Sequence, residues 1–178
     1  MIGREHAVSD GVTLLDVGAV VTGAGVAAVH IREAMPAGPL LGPDGALAWL
    51  AFAGIALTAA GPFVYSLRRL GRRPPGYPRS GDRLWALLGT PWVLTILIPS
   101  PPRSDLAPRG ADLYAFALTV GIGVSSLIAL AVIWNTWVMV APEVLARAGP
   151  TPWTDRVGRV LAVAWPLQCG FGLVVINP

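Results

Sequence analysis

Residues 68–83 read RRLGRRPPGYPRSGDR, and this segment decides how the rest of the chain is interpreted. It holds six arginines, while the stretches 46–67 and 84–98 on either side are almost entirely apolar. Arginines gathered between apolar stretches are typical of the cytoplasmic loops of membrane proteins. The prolines of the segment also favour extended backbone over helix. The segment therefore predicts a cytoplasmic loop that joins two membrane-spanning helices.

The composition of the whole chain agrees with a bilayer environment. The chain has 178 residues, of which 54% are hydrophobic and 13% are charged, whereas a soluble domain carries about 25% charged residues. Membrane spans and their short loops account for nearly every residue. We therefore expect an all-α integral membrane bundle in which residues 1–178 form a single transmembrane domain.

Five apolar stretches are predicted to cross the membrane, namely 12–31, 46–67, 84–98, 113–140 and 160–176. The third is shorter than the others and contains Pro91. A helix over that stretch covers only about 22 Å, less than a hydrocarbon core of about 30 Å. It either crosses as a short span or returns to the same side, which leaves four spans as the alternative.

The distribution of arginine predicts the orientation. With five spans and the N-terminus inside, the inner side holds ten of the 13 arginines: Arg4, the six of residues 68–83, Arg147, Arg156 and Arg159. If the third stretch is re-entrant, the later segments change sides, and the 13 arginines divide into nine on one side and four on the other. The positive-inside rule favours five spans, with the N-terminus cytoplasmic and the C-terminus outside. We expect a bacterial-type inner membrane, and the balanced charge of residues 1–10 argues against a cleaved signal peptide.

Two stretches resemble each other and suggest an internal duplication. Residues 82–92 read DRLWALLGTPW and residues 155–166 read DRVGRVLAVAWP. Each follows a loop with Pro and Gly, and each ends with Pro beside Trp. The hypothesis is a duplicated two-helix unit in parallel orientation, and chance similarity in a biased composition is the alternative.

Asp16 is the ionisable residue that the sequence places inside a predicted span. Intramembrane carboxylates are costly and often bind protons or ions. Asp16 lies close to the start of its span, however, where a helix N-terminus stabilises a carboxylate. Both interpretations remain, an ion or proton site and a first-turn Asp.

The remaining candidates lie on the predicted inner face. Asp82 and Asp155 each open a helix, as helix caps or as gates, with Ser80 and Thr154 as the expected N-cap residues. The arginines are a topological signal and also candidates for contact with anionic lipid head groups or with a partner. They are Arg68, Arg69, Arg72, Arg73, Arg79 and Arg83.

Several classes of site are excluded by the sequence. The single cysteine, Cys169, rules out an intramolecular disulfide and a cysteine-based metal site. In the five-span chain His6 and His30 lie on opposite faces, which argues against a haem held by two histidines. No catalytic, phosphate-binding or metal motif occurs. We expect no cofactor, no metal and no nucleic-acid partner.

The sequence therefore predicts a non-catalytic protein that acts through helix and lipid contacts, as an accessory or interaction subunit. Pairs of small residues four apart, such as Gly54 and Thr58, let helices approach closely. The expected partners are the bilayer with its anionic head groups, and other membrane subunits or a second copy. A small transporter or channel that uses Asp16 and helices broken by Pro62, Pro91 and Pro166 is the alternative. An enzyme that acts on a lipid at the inner face, through Asp82 and Asp155, is a third hypothesis.

Overall fold

The computed structural model describes residues 11–34, 43–71, 77–97, 108–135 and 151–176. These residues form five helices and contain no strand, so the all-α prediction is confirmed for this part of the chain. The helices are α1 (Leu14–Ala34), α2 (Pro43–Leu70), α3 (Ser80–Ile96), α4 (Pro108–Trp134) and α5 (Trp153–Ile176).

The helices follow the five apolar stretches, but their first turns differ from the prediction. α3 begins at Ser80 and α5 begins at Trp153, several residues before the predicted 84 and 160. Both first turns are polar, and hydropathy marks the apolar part of a helix but not its capped end. The predicted end of the fourth stretch, residues 136–140, lies outside the described residues.

α1 and α2 form an antiparallel pair that packs closely because of glycine. Gly23 of α1 lies directly against the backbone of α2 at Ala56 and Ala60, where a Cβ atom would overlap the Ala56 carbonyl. On α2 the buried residues Ala56, Ala60 and Val64 recur every four positions, as expected for one face of a helix.

α3 and α5 run side by side in the same direction. Near their N-terminal ends the Gly81 N–H donates to Oδ1 of Asp155 at 2.7 Å. Further along, the ring centroids of Trp92 and Trp165 lie 5.6 Å apart. α4 packs against both α3 and α5, with Gly121 beside Pro91, and its 27 residues cover about 40 Å.

α3 is the central helix of the bundle and packs against the other four. Its buried residues include Leu84, Trp85, Leu88 and Trp92 on one face, together with Gly89, which lies against Thr58 and Pro62 of α2. With 17 residues it is about 25 Å long.

The outward faces of the bundle are apolar. Exposed large hydrophobic side chains occur on each described helix, among them Val21, Leu50, Leu94, Leu127 and Leu167. Two segments, Leu14–Arg32 and Trp49–Leu70, are long and apolar enough to cross a membrane by length and composition. In the described part of α4, the apolar segment Thr119–Trp134 is shorter.

Candidate functional site

Charged side chains from four helices gather at one end of the bundle. The N-terminal ends of α1, α3 and α5 meet the C-terminal end of α2 there, and we call Asp16, Arg68, Asp82, Asp155 and Arg159 the charged end. Each of the three carboxylates lies in the first turn of its helix, where the positive end of the helix dipole stabilises negative charge.

Asp16 and Arg68 form a bidentate ion pair between α1 and α2. Arg68 Nε donates to Oδ1 and Nη2 donates to Oδ2, each at 2.8 Å. The Thr13 N–H and hydroxyl both donate to Oδ2, at 2.8 and 2.9 Å. Asp16 is 1% exposed, so a buried carboxylate here has its charge neutralised and both oxygens hydrogen-bonded.

Helical periodicity explains why these two residues meet. Arg68 continues the buried face of α2, four residues after Val64. Asp16 begins the buried face of α1, three residues before Ala19, which is 1% exposed. Thr13 and Asp16 also form a capping box, because the Asp16 N–H donates to the Thr13 hydroxyl at 3.3 Å.

Arg68 also connects the first two helices to α5. Its guanidinium lies over the ring of Trp153, 5.3 Å from the centroid, and Trp153 packs edge-to-face on Trp85 of α3 at 5.9 Å. The Arg68 side chain is 12% exposed, so this arginine faces the interior. Arg69 and Arg83 of the same segment are exposed, and the predicted Arg72 and Arg73 lie outside the described residues.

Asp155 satisfies a backbone group of a different helix. Its Oδ1 accepts the Gly81 N–H of α3. The N–H groups in the first turn of a helix have no partner within that helix. Pro152 precedes α5 and has no N–H for Asp155 to bind. Arg159 Nη2 lies 2.8 Å from Oδ2 as an ion pair, although the angle is not that of a hydrogen bond, and Nη2 is 3.3 Å from the Ser80 hydroxyl.

Asp82 has a single hydrogen bond in the described part of the chain. Its Oδ2 accepts the Arg79 N–H at 2.9 Å, while its Oδ1 is buried without a partner. The N-cap of α3 is Arg79, so the expectation that Ser80 caps this helix is wrong. Thr154 lies inside α5, and its buried hydroxyl has no hydrogen bond with the described residues, so it does not cap that helix. The capping bonds come from carboxylates at third helical positions: Asp16 and Asp82 cap their own helices, and Asp155 caps α3.

Tyr77 lies beside this cluster, in the segment before α3. Its hydroxyl donates to the Tyr65 carbonyl at 3.0 Å. Burial raises the pKa of Tyr77, and the nearby negative charge of Asp82 raises it further. The phenol therefore stays neutral at physiological pH. Sequence reasoning did not select Tyr77, Thr13 or Trp153, since each owes its place to a packing neighbour.

A second group of polar side chains lies further along the bundle. His30, Trp92 and Trp165 form what we call the aromatic level. His30 Nε2 is 2.8 Å from the Trp92 carbonyl oxygen, and the His30 and Trp92 rings meet edge-to-face at 5.1 Å. His6, the other histidine that could have ligated a haem, is outside the described residues.

The side chains of the charged end connect the helices to one another, through the ion pair between α1 and α2, the contact of Arg68 with α5, and the hydrogen bond between α5 and α3. The two arginines neutralise two of the three carboxylates, and no group of three metal-ligating side chains occurs among the described residues. Comparison with protein-family models, characterised proteins and solved structures finds no match. The function therefore has to be inferred from the geometry of this chain.

Proposed function

We propose that the protein is a membrane bundle of five crossing helices that acts without catalysis, as an accessory or interaction subunit. The observation that carries this proposal is the contrast between surface and interior. Large apolar side chains face outward on the described helices, while Asp16, Arg68 and Asp155 are directed inward and paired. Such a molecule offers its surroundings helix faces and lipid-facing side chains.

The alternation of helix direction supports five crossings. α1, α3 and α5 run one way and α2 runs the other, and a chain that crosses at each helix requires α4 to run in the direction of α2. α3 is short for a lipid-exposed span, but a central helix need not match the thickness of the bilayer. The parallel α3 and α5, with Trp92 against Trp165, also support the duplicated two-helix unit.

The arginines support the orientation. Within the described residues, the end of the bundle that contains the charged end also holds most of the arginines, namely Arg68, Arg69, Arg79, Arg83, Arg156 and Arg159. Arg32 lies in the last turn of α1, at the opposite end. By the positive-inside rule the charged end is cytoplasmic, in a bacterial-type inner membrane. Exposed Arg69, Arg83 and Arg156 would then contact anionic head groups, an attraction of about 1 kcal/mol for each basic residue near the surface.

Reporter fusions test the topology. A reporter that is active only in the cytoplasm is fused after residue 34, residue 71, residue 97, residue 135 or the C-terminus. Five crossings require activity after residues 71 and 135 and none at the other three. Activity at all positions after 71 would instead mean that the later helices do not cross.

Purification in mild detergent tests the accessory role. We expect a partner protein to co-purify in fixed stoichiometry, identified by mass spectrometry and by the particle mass. A monomer or homo-oligomer that is recovered alone from its native membrane, under conditions that preserve other complexes, would contradict this role.

A small transporter or channel is the second candidate, because three described helices contain an internal proline. These are Pro62, Pro91 and Pro166, and each removes a helical hydrogen bond. The pairing of Asp16 with Arg68 argues against a free ion site at that carboxylate. The test is ion or proton flux in proteoliposomes with Asp16→Asn as the comparison, and flux that depends on Asp16 would favour this candidate.

A further inference from the structure

Two buried indole N–H groups at the aromatic level have no hydrogen-bond acceptor in the described part of the chain. They belong to Trp92 and Trp165, which are 6% and 5% exposed. Leaving a buried donor unpaired costs about 1–3 kcal/mol, and few such groups persist in folded proteins. Two of them on adjacent helices indicate an acceptor that comes from another molecule.

The neighbouring groups do not supply that acceptor. The Trp92 carbonyl already faces His30 Nε2 at 2.8 Å, and the Thr95 hydroxyl donates to the Pro91 carbonyl at 2.8 Å. The Trp92 and Trp165 rings meet edge-to-face at 80°, and in that arrangement only one ring directs its edge at the face of the other. Their mutual contact therefore leaves at least one N–H free.

Trp85 shows the ordinary solution on the same helix. It is 1% exposed, and its Nε1–H donates to the Leu57 carbonyl of α2 at 2.8 Å. α3 can therefore place a buried indole so that a neighbouring helix satisfies it. At Trp92, seven residues and about two helical turns further along α3, the indole N–H has no such acceptor in the described part of the chain.

Two prolines lie directly beside the unpaired indoles. Pro91 precedes Trp92 and Pro166 follows Trp165, and each removes the hydrogen bond to the carbonyl four residues earlier. Helices bend most readily at such positions. Nearby Leu94 and Leu167 are 55% and 69% exposed, so α3 and α5 each present an apolar side chain outward at this level.

We propose that Trp92 and Trp165 form a binding site for the carbonyl oxygen of a membrane-soluble molecule, which enters from the bilayer beside Pro166, because α4 covers Pro91 at Gly121. Two kinds of molecule carry this group in a membrane: phospholipids, through their ester carbonyls, and isoprenoid quinones, through their ring carbonyls. The site is separate from the charged end and does not depend on the accessory role, although it requires the bundle to lie in a membrane.

Nuclear magnetic resonance of the indole N–H groups tests the site. The protein is labelled at the indole nitrogen of its seven tryptophans and held in an alkyl maltoside, a detergent without a carbonyl group. Trp92→Phe and Trp165→Phe identify the two signals. Decyl-quinone and a short-chain phosphatidylglycerol are then titrated separately. We expect one probe to move both signals downfield in a saturable manner.

The variants provide the second measurement. Loss of one hydrogen bond worth about 1 kcal/mol weakens affinity about five-fold, so each Trp→Phe change should raise the Kd of the active probe by about that factor. Trp49→Phe, at a residue that is 57% exposed on α2, should leave the Kd unchanged. If one variant does not fold, the wild-type signals and the other variant still decide the question.

Each outcome has a definite meaning. A response to the quinone alone identifies a quinone site, a response to the phospholipid alone identifies a lipid site, and a response to both means that any accessible carbonyl is accepted. The proposal is overturned if neither probe moves the two signals, or if both variants bind the active probe as tightly as wild type. It is also overturned if the two N–H groups exchange protons only with a buried water.

Discussion

At the charged end each of the three carboxylates reaches an arginine or a helix N–H group, although the indole N–H of the adjoining Trp153 has no acceptor among the described residues. At the aromatic level, by contrast, two indole N–H groups reach no acceptor in the described structure. The difference follows from the cost of each kind of group. A buried charge without a partner costs several kcal/mol, so a stable fold has to pair it. An unpaired neutral N–H costs about 1–3 kcal/mol, which a bundle can tolerate where a ligand later supplies the bond. The charged end therefore holds the structure together, and the aromatic level is the better place to look for binding.

Removing the cation of the buried pair should give the largest effect. Arg68→Met leaves Asp16, 1% exposed, without its counter-charge and removes the contact with Trp153. We expect the free energy of unfolding to fall by about 3–5 kcal/mol, measured by denaturant titration in detergent micelles. Arg83→Met changes an exposed arginine of the same segment and should alter stability by less than about 0.5 kcal/mol.

The double variant Asp16→Asn with Arg68→Met separates pairing from packing. Because both charges are then absent, most of the lost stability should return. If Arg68→Met alone lowers the free energy of unfolding by less than about 1 kcal/mol, the pair behaves as an exposed ion pair. The charged end is then solvated and does not stabilise the fold more than the aromatic level does.

The close crossing of α3 and α5 should give the next largest effect. A Cβ atom on Gly81 would overlap the Asp155 carbonyl and lie 2.7 Å from its Oδ1, and backbone cannot move aside as a flexible side chain can. Gly81→Ala should therefore cost about 1–3 kcal/mol. The same measurement on Gly18→Ala is the control, since nothing lies within 4 Å of that position and alanine favours helix by about 1 kcal/mol. Equal effects at the two glycines would mean that α3 and α5 do not pack as described.

The indoles themselves give a smaller contrast. Trp85→Phe removes the hydrogen bond to the Leu57 carbonyl, whereas Trp92→Phe removes an N–H that has no acceptor in the described structure. Without ligand, Trp85→Phe should therefore be more destabilising than Trp92→Phe by about 1 kcal/mol. If thermal or denaturant unfolding shows the reverse order, Trp92 already has an acceptor, and the aromatic level resembles the charged end.

The positions of the helices are easier to predict from the sequence than the contacts between the helices. The apolar stretches gave α1 and α2 because their outward faces are apolar along most of their length. The predicted spans omit the first turns of α3 and α5 because polar capped turns do not register as hydropathy, although Asp82 and Asp155 mark both turns as helix starts. Asp16 was selected, but its partner was not, although Arg68 extends the four-residue spacing of Ala60 and Val64.

The contacts between distant helices were beyond the sequence for a different reason. Asp155 binds Gly81, 74 residues away, only because α3 and α5 lie parallel and touch through glycine. Such facts depend on how helices are arranged in space, and spacing within one helix does not encode them.

The smallest expected effect concerns Tyr77, at the margin of the charged end, and it appears only in alkali. Burial and the Asp82 charge raise the pKa of Tyr77 in the folded chain, whereas the unfolded value is about 10. Above that pH the unfolded chain releases a proton that the folded chain keeps. The stabilisation is therefore complete below about pH 9 and is lost as pH rises, by about 0.8 kcal/mol at pH 10.5. Tyr77→Phe should remove this part of the pH dependence while Tyr65→Phe keeps it, measured as unfolding free energy between pH 8.5 and 10.5 in micelles. Identical slopes for wild type and Tyr77→Phe would mean that water reaches the Tyr77 hydroxyl, and the charged end would then be open on that side.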